Sequence, residues 1–66
     1  MALTAEEITA KREGYNLSKH QLGILMGFPM NTARKRVYEI ESGRVGVSNA
    51  NNTLLTMIFE KLEAEK

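Results

Sequence analysis

The chain has 66 residues and a formal net charge of +1, with nine Lys and Arg, eight acidic residues, one His and no Cys. That length is one domain, and one so short that it buries only about 60% of its unfolded surface, so a well-packed core, a partner chain or both must supply its stability. With no cysteine and His20 as the lone histidine, disulfides, thiolate metal sites and a conventional zinc cluster are excluded, and no cofactor is expected.

The boundaries of the elements are legible in chain order. Thr4-Ala5-Glu6-Glu7 has the spacing of a capping box, in which the Thr4 hydroxyl and the Glu7 carboxylate each satisfy a backbone N–H. A helix is predicted from about 5 to 13, with Ile8 facing inward and Gly14 closing it in the left-handed conformation. Ser18-Lys19-His20-Gln21 is a second box, and Leu17 with Leu22 has the spacing of a hydrophobic staple. This helix is predicted to run to about 26, with Gly27 closing it. Gly23 lies inside it, where glycine costs about 1 kcal/mol relative to alanine. It marks either the close approach of another helix or simple local flexibility. Phe28-Pro29-Met30-Asn31 reads as a turn. Asn31 or Thr32 then caps a third helix to about 41 or 42, stopped by Gly43. After a loop over 44–47, Ser48 or Asn49 caps a fourth helix to the end of the chain. The expected fold is all-α, with four or five helices and no sheet.

On a wheel of about 100° per residue, Ala33, Val37 and Ile40 form the buried stripe of the third helix. Lys35 lies opposite, with Asn31, Tyr38 and Ser42 beside it and Arg34 and Arg36 on the flanks. A hydrogen-bonding centre edged by cations suits a DNA major groove, where central side chains reach base edges and flanking arginines reach phosphates. A solvated basic face would look the same on the wheel alone. Charge is also segregated: between Lys11 and Arg44 there are seven Lys or Arg and three Glu, while both ends are net acidic. A basic middle of this kind is the footprint expected of a face that meets phosphate.

Two runs carry a resemblance. Leu17-Ser18-x-x-Gln21-Leu22-Gly23-x-x-Met26-Gly27-Phe28, followed by Val37-x-x-Ile40-Glu41-x-Gly43, resembles the Cro and repressor-type helix-turn-helix family of phage and bacterial transcriptional repressors. The likeness runs from about Ile8 to Leu62 and implies a lambda-repressor-like domain spanning 1–66. It implies base contacts by Arg34, Lys35 and Tyr38, and phosphate contacts by Ser18 and Lys19 at a helix start and by Arg44 beyond the third helix. Arg12 and Glu41 match a pair that in relatives ties the first helix to the end of the third. Thr32 and Arg36 are assigned to phosphate, and Asn31 either caps or reads a base. The chain departs from the pattern twice. It has about four extra residues between Gly27 and Val37, and it carries Ile24 and Leu25 where relatives often carry charge. These two either pack under the longer turn or are exposed.

Other residues are read from the sequence itself. Glu39, four residues after Lys35, is expected to pair with it. His20 is expected to be exposed or to make a minor phosphate contact. In the fourth helix Leu54, Ile58 and Leu62 recur every four residues, which suits packing on the domain, and Leu55 and Phe59 run alongside with Met57 near. An apolar arc so wide is either a broad core stripe or a surface for a second chain. The interface of the expected homodimer is assigned to Leu55, Phe59 and Leu62, within a helix over about 49–65. Met1 to Glu7 lacks the basic start and apolar core of a signal peptide, and no apolar run nears the roughly 20 residues of a membrane span, so a cytoplasmic location without membrane is expected.

The function expected is sequence-specific binding of a two-fold double-stranded DNA operator by a homodimer, repressing and autoregulating its own operon, with no small-molecule ligand. The alternative is a small helical protein-binding module, an adaptor or antirepressor, using Ile24, Leu25, Leu55 and Phe59. An enzyme is not expected: there is no Asp, Cys or Trp, and His20 has no carboxylate partner at motif spacing.

Overall fold

Helices along this chain start after Thr4, Ser18 and Ser48 and end near Gly14, Gly27 and Gly43, and the computed structural model, which describes residues 3–65, divides accordingly. Its helices are α1 (Ala5–Gly14), α2 (Lys19–Leu25), α3 (Ala33–Glu41) and α4 (Asn49–Ala64), and no strand occurs among the described residues. Met1, Ala2 and Lys66, which the expected domain of 1–66 includes, lie outside the described residues.

Both capping boxes form. The Glu7 N–H donates to Thr4 Oγ1 at 3.1 Å and the Thr4 N–H to Glu7 Oε1 at 2.9 Å. The Gln21 N–H donates to Ser18 Oγ at 3.0 Å and the Ser18 N–H to Gln21 Oε1 at 2.8 Å. Ser48, rather than Asn49, caps α4 by accepting from the Asn51 N–H at 3.1 Å. Gly27 and Gly43 take positive φ after α2 and α3, as expected of helix-closing glycines.

Three local expectations fail, each for a tertiary or backbone reason. Gly14 is the last residue of α1, and the left-handed position falls two residues later on Asn16 (φ 59°), a residue type whose short polar side chain tolerates it. Neither Asn31 nor Thr32 caps α3 with its side chain. The Pro29 carbonyl instead accepts the N–H groups of Thr32 (3.0 Å) and Ala33 (2.8 Å), so a backbone turn leads directly into the helix. Leu17 is not among the side chains packed on the core; it borders an outer groove of α2 with His20, Gln21, Ile24 and Leu25. The entry angle of α2 has a different fixture. The Leu17 N–H donates to the Arg12 carbonyl (3.1 Å), and Arg12 Nη1 donates to the Leu17 carbonyl (2.7 Å).

The core draws on all four helices: Ile8 from α1, Leu22 from α2 with Met26 at its end, Val37 and Ile40 from α3, and Leu55 and Phe59 from α4. Leu54, Ile58 and Leu62 are half-buried at its margin. Gly23 is where α2 and α3 touch. A Cβ there would stand 2.5 Å from the Ala33 carbonyl oxygen and 2.6 Å from the Ala33 Cβ, so close approach, not flexibility, explains the glycine. The chain start is tied to α4 through the Leu3 N–H, which donates to Asn52 Oδ1 at 2.7 Å.

Candidate functional site

Burying Ala33, Val37 and Ile40 turns the opposite side of α3 outward, and α2 lies alongside because Gly23 lets the two backbones meet. The result is a surface cleft of about 540 Å³ lined by Lys19 from the start of α2, Asn31 from the turn, and Arg34, Lys35 and Tyr38 from α3. Three cations, an amide and a phenol thus converge, all but Lys19 exposed. Long donors of this kind match the acceptor-rich edges of base pairs and phosphate oxygens. The cleft joins residues expected to read bases (Asn31, Arg34, Lys35, Tyr38) with one expected to hold phosphate (Lys19).

The remaining expected phosphate ligands are placed differently. Ser18 is exposed, with its hydroxyl oxygen accepting the cap bond. Thr32 is half-buried at the start of α3, its hydroxyl donating to the Pro29 carbonyl at 3.3 Å. Arg36 lies on the other flank of α3, bordering a small hollow with Phe28, Glu39, Ile40, Val45 and Asn51, and Arg36 Nη1 stands 3.9 Å from Glu39 Oε1. Glu39 therefore approaches Arg36 and not Lys35, because the i,i+3 direction leads to that side of the helix. Arg44 is exposed just past α3, and His20 is half-buried beside the apolar groove.

Behind the cleft, the far end of α3 is fixed by charge. Arg12 donates from Nε to Glu41 Oε2 at 2.7 Å and from Nη2 to Glu41 Oε1 at 3.2 Å, with side-chain exposures of 9% and 6%. Its last terminal nitrogen holds the Leu17 carbonyl, so one guanidinium joins α1, the entry to α2 and the end of α3. The hydrogen bond to Glu41, opposed by burial and aided by its charge, holds the Arg12 pKa above its ordinary value. No buried side-chain polar atom among the described residues lacks a partner, which is the condition for such a pair to be tolerated. Sequence reasoning missed Thr9, whose hydroxyl donates to Glu41 Oε1 at 2.9 Å. Its position one helical turn before Arg12 was the available signal.

The assignment of a second-chain surface to Leu55 and Phe59 is overturned. They are 1% and 5% exposed, closed within the chain's own core. Of the three assigned residues Leu62 alone keeps surface, on an edge shared with Leu54 and Ile58. Ile24 and Leu25 are exposed and do not pack under the turn.

No three His, Cys, Asp or Glu side chains among the described residues are arranged to hold a metal ion, and no helix there is long and apolar enough to cross a membrane. No family model matches the sequence, and neither does any curated protein or solved structure.

Proposed function

We propose that the chain is a helix-turn-helix protein of the Cro and repressor type, which binds double-stranded DNA sequence-specifically and represses transcription from the operon that encodes it. The observation that carries this reading is the cleft in which Lys19 meets Asn31, Arg34, Lys35 and Tyr38. In this reading α2, the turn and α3 are the motif, α3 enters the major groove, and Lys19 and Arg44 hold the backbone on either side. Repression is by occlusion of the promoter, in the cytoplasm. A homodimer binds a two-fold site, and the row Leu54, Ile58 and Leu62 supports α4 as its contact.

The second reading, a protein-binding module, is favoured by the outer groove of α2 with its exposed Ile24 and Leu25. It loses half of its expected contacts, because Leu55 and Phe59 are buried.

The experiment is fluorescence anisotropy with duplex DNA from immediately upstream of the gene, a scrambled duplex and a salt series. Binding that prefers the native duplex and weakens steeply with salt is expected. Equal, weak binding to both would defeat own-operon regulation, and failure to enrich any duplex from a random library would defeat the DNA-binding reading altogether. Sedimentation with and without the duplex reads the dimer.

A further inference from the structure

Every side chain lining the cleft carries a hydrogen-bonding group, and the cleft's apolar parts are the Tyr38 ring and the Lys and Arg stems. The turn ahead of α3 adds a different chemistry. Met30 is 74% exposed, the most of any large hydrophobic side chain among the described residues. It adjoins Asn31, a cleft residue, and stands one helical turn before Arg34, another. Its position is not that of a loose loop. The bonds from Thr32 and Ala33 to the Pro29 carbonyl wind this segment as a turn continuous with α3, so Met30 is carried on the same rigid unit as the cleft. The segment is also where the chain is longer than the helix-turn-helix pattern it resembles.

The major groove offers one apolar feature, the C5 methyl group of thymine. An unbranched, polarisable thioether adapts to such a target better than a β-branched side chain does. We infer that Met30 is a specificity-determining residue that reads a thymine by apolar contact with its C5 methyl. This inference rests on the DNA-binding reading above.

The test uses the full chain and a duplex selected from a random library. Each thymine is replaced in turn by deoxyuridine, which removes the methyl and leaves every hydrogen-bonding group in place. With the unmodified protein, one replacement at the edge of the selected half-site is expected to weaken binding about fourfold, the loss corresponding to one buried methyl. Met30→Ala should bind the thymine duplex with a similar loss and show no further loss at that replacement. Met30→Leu should keep the discrimination. Because Met30 is exposed, all three proteins should melt alike. If each deoxyuridine costs the same in Met30→Ala as in the unmodified protein, Met30 does not read a methyl and the inference falls while DNA binding stands. If no duplex is enriched, the DNA-binding reading falls and takes the inference with it.

Discussion

The two ends of α3 are built on opposite principles. Its carboxyl end is closed: Glu41 is a nearly buried carboxylate gripped by Arg12 and Thr9, and Gly43 turns the chain away. Its amino end has no side-chain cap, only the Pro29 carbonyl accepting two N–H groups, and its neighbours Met30 and Asn31 are exposed. A helix fixed at its far end by charged side chains, and at its amino end by a backbone turn and by the buried Ala33 against Gly23, leaves its outward amino-end side chains unengaged in the fold. Thr32 is the exception, with its hydroxyl on Pro29. Stability and the proposed recognition are therefore divided between the buried and the outward side chains of one short helix, and substitutions should sort accordingly.

The largest effect is expected from Arg12→Ala. It leaves Glu41 buried without its cation and releases the Leu17 carbonyl, so a loss of about 3–5 kcal/mol should follow, enough to lower the thermal midpoint by more than about 10 °C. Circular dichroism checks this. Replacing both members at once, Arg12→Met with Glu41→Leu, should recover much of the loss, since no charge is then stranded. A melting temperature unchanged in Arg12→Ala would remove the distinction between the two ends.

Next comes Gly23→Ala, where two effects oppose. Helix propensity alone favours alanine by about 1 kcal/mol. The added Cβ would meet the Ala33 carbonyl carbon and oxygen at 2.7 and 2.5 Å, which is backbone and cannot swing aside. Overpacking of that kind costs about 1–3 kcal/mol, so net destabilisation is expected in urea unfolding. A stabilised variant would mean that α2 and α3 are not in close contact.

The contrast between the ends also explains what could be read from sequence. The boxes at Thr4 and Ser18 were legible because a cap bond spans three residues, and the core stripe of α3 because its period is that of the helix. The pairing of Arg12 with Glu41 was reached through the family resemblance, since nothing local joins positions 29 apart in sequence. The start of α3 was misread because Asn and Thr are good caps by type, while the geometry after Pro29 lets a carbonyl do that work. Leu55 and Phe59 were misassigned because α4 has two adjacent apolar rows, and which row faces inward depends on how the helix docks. Convergence of Lys19 with α3 depended likewise on the contact at Gly23, of which the sequence carried only the glycine.

For the outward side chains at the amino end the expected effects are on binding and not on folding. Arg34→Ala and Lys35→Ala should melt with the unmodified protein, because both side chains are exposed and hold no other element in place. Each should weaken binding to the selected duplex by about 1–3 kcal/mol and relax its sequence preference if it reads a base. Lys19→Ala should instead weaken all duplexes alike and flatten the salt dependence, as loss of a phosphate contact does. If Lys19→Ala changed the selected sequence, the cleft would not divide into backbone and base contacts.

The smallest effect lies away from α3, where α1 meets α4. The Tyr15 ring stacks on Phe59 with centroids 6.1 Å apart, and its hydroxyl donates to Glu63 Oε2 at 2.7 Å. That hydrogen bond, with burial and the Glu63 charge acting in the same direction, holds the phenol pKa above its ordinary 10.0. A raised pKa means that the folded state retains the proton more tightly than the unfolded one. The stabilisation is therefore present in full below the unfolded pKa and is lost as pH rises through the folded one. In a Tyr38→Phe background, absorbance at the tyrosinate band should report Tyr15 alone, titrating above an unfolded reference. Glu63→Ala should bring that titration downward and reduce the fall in melting temperature between neutral and strongly alkaline pH. An unchanged titration would show that the Tyr15 hydroxyl does not hold α4 through Glu63.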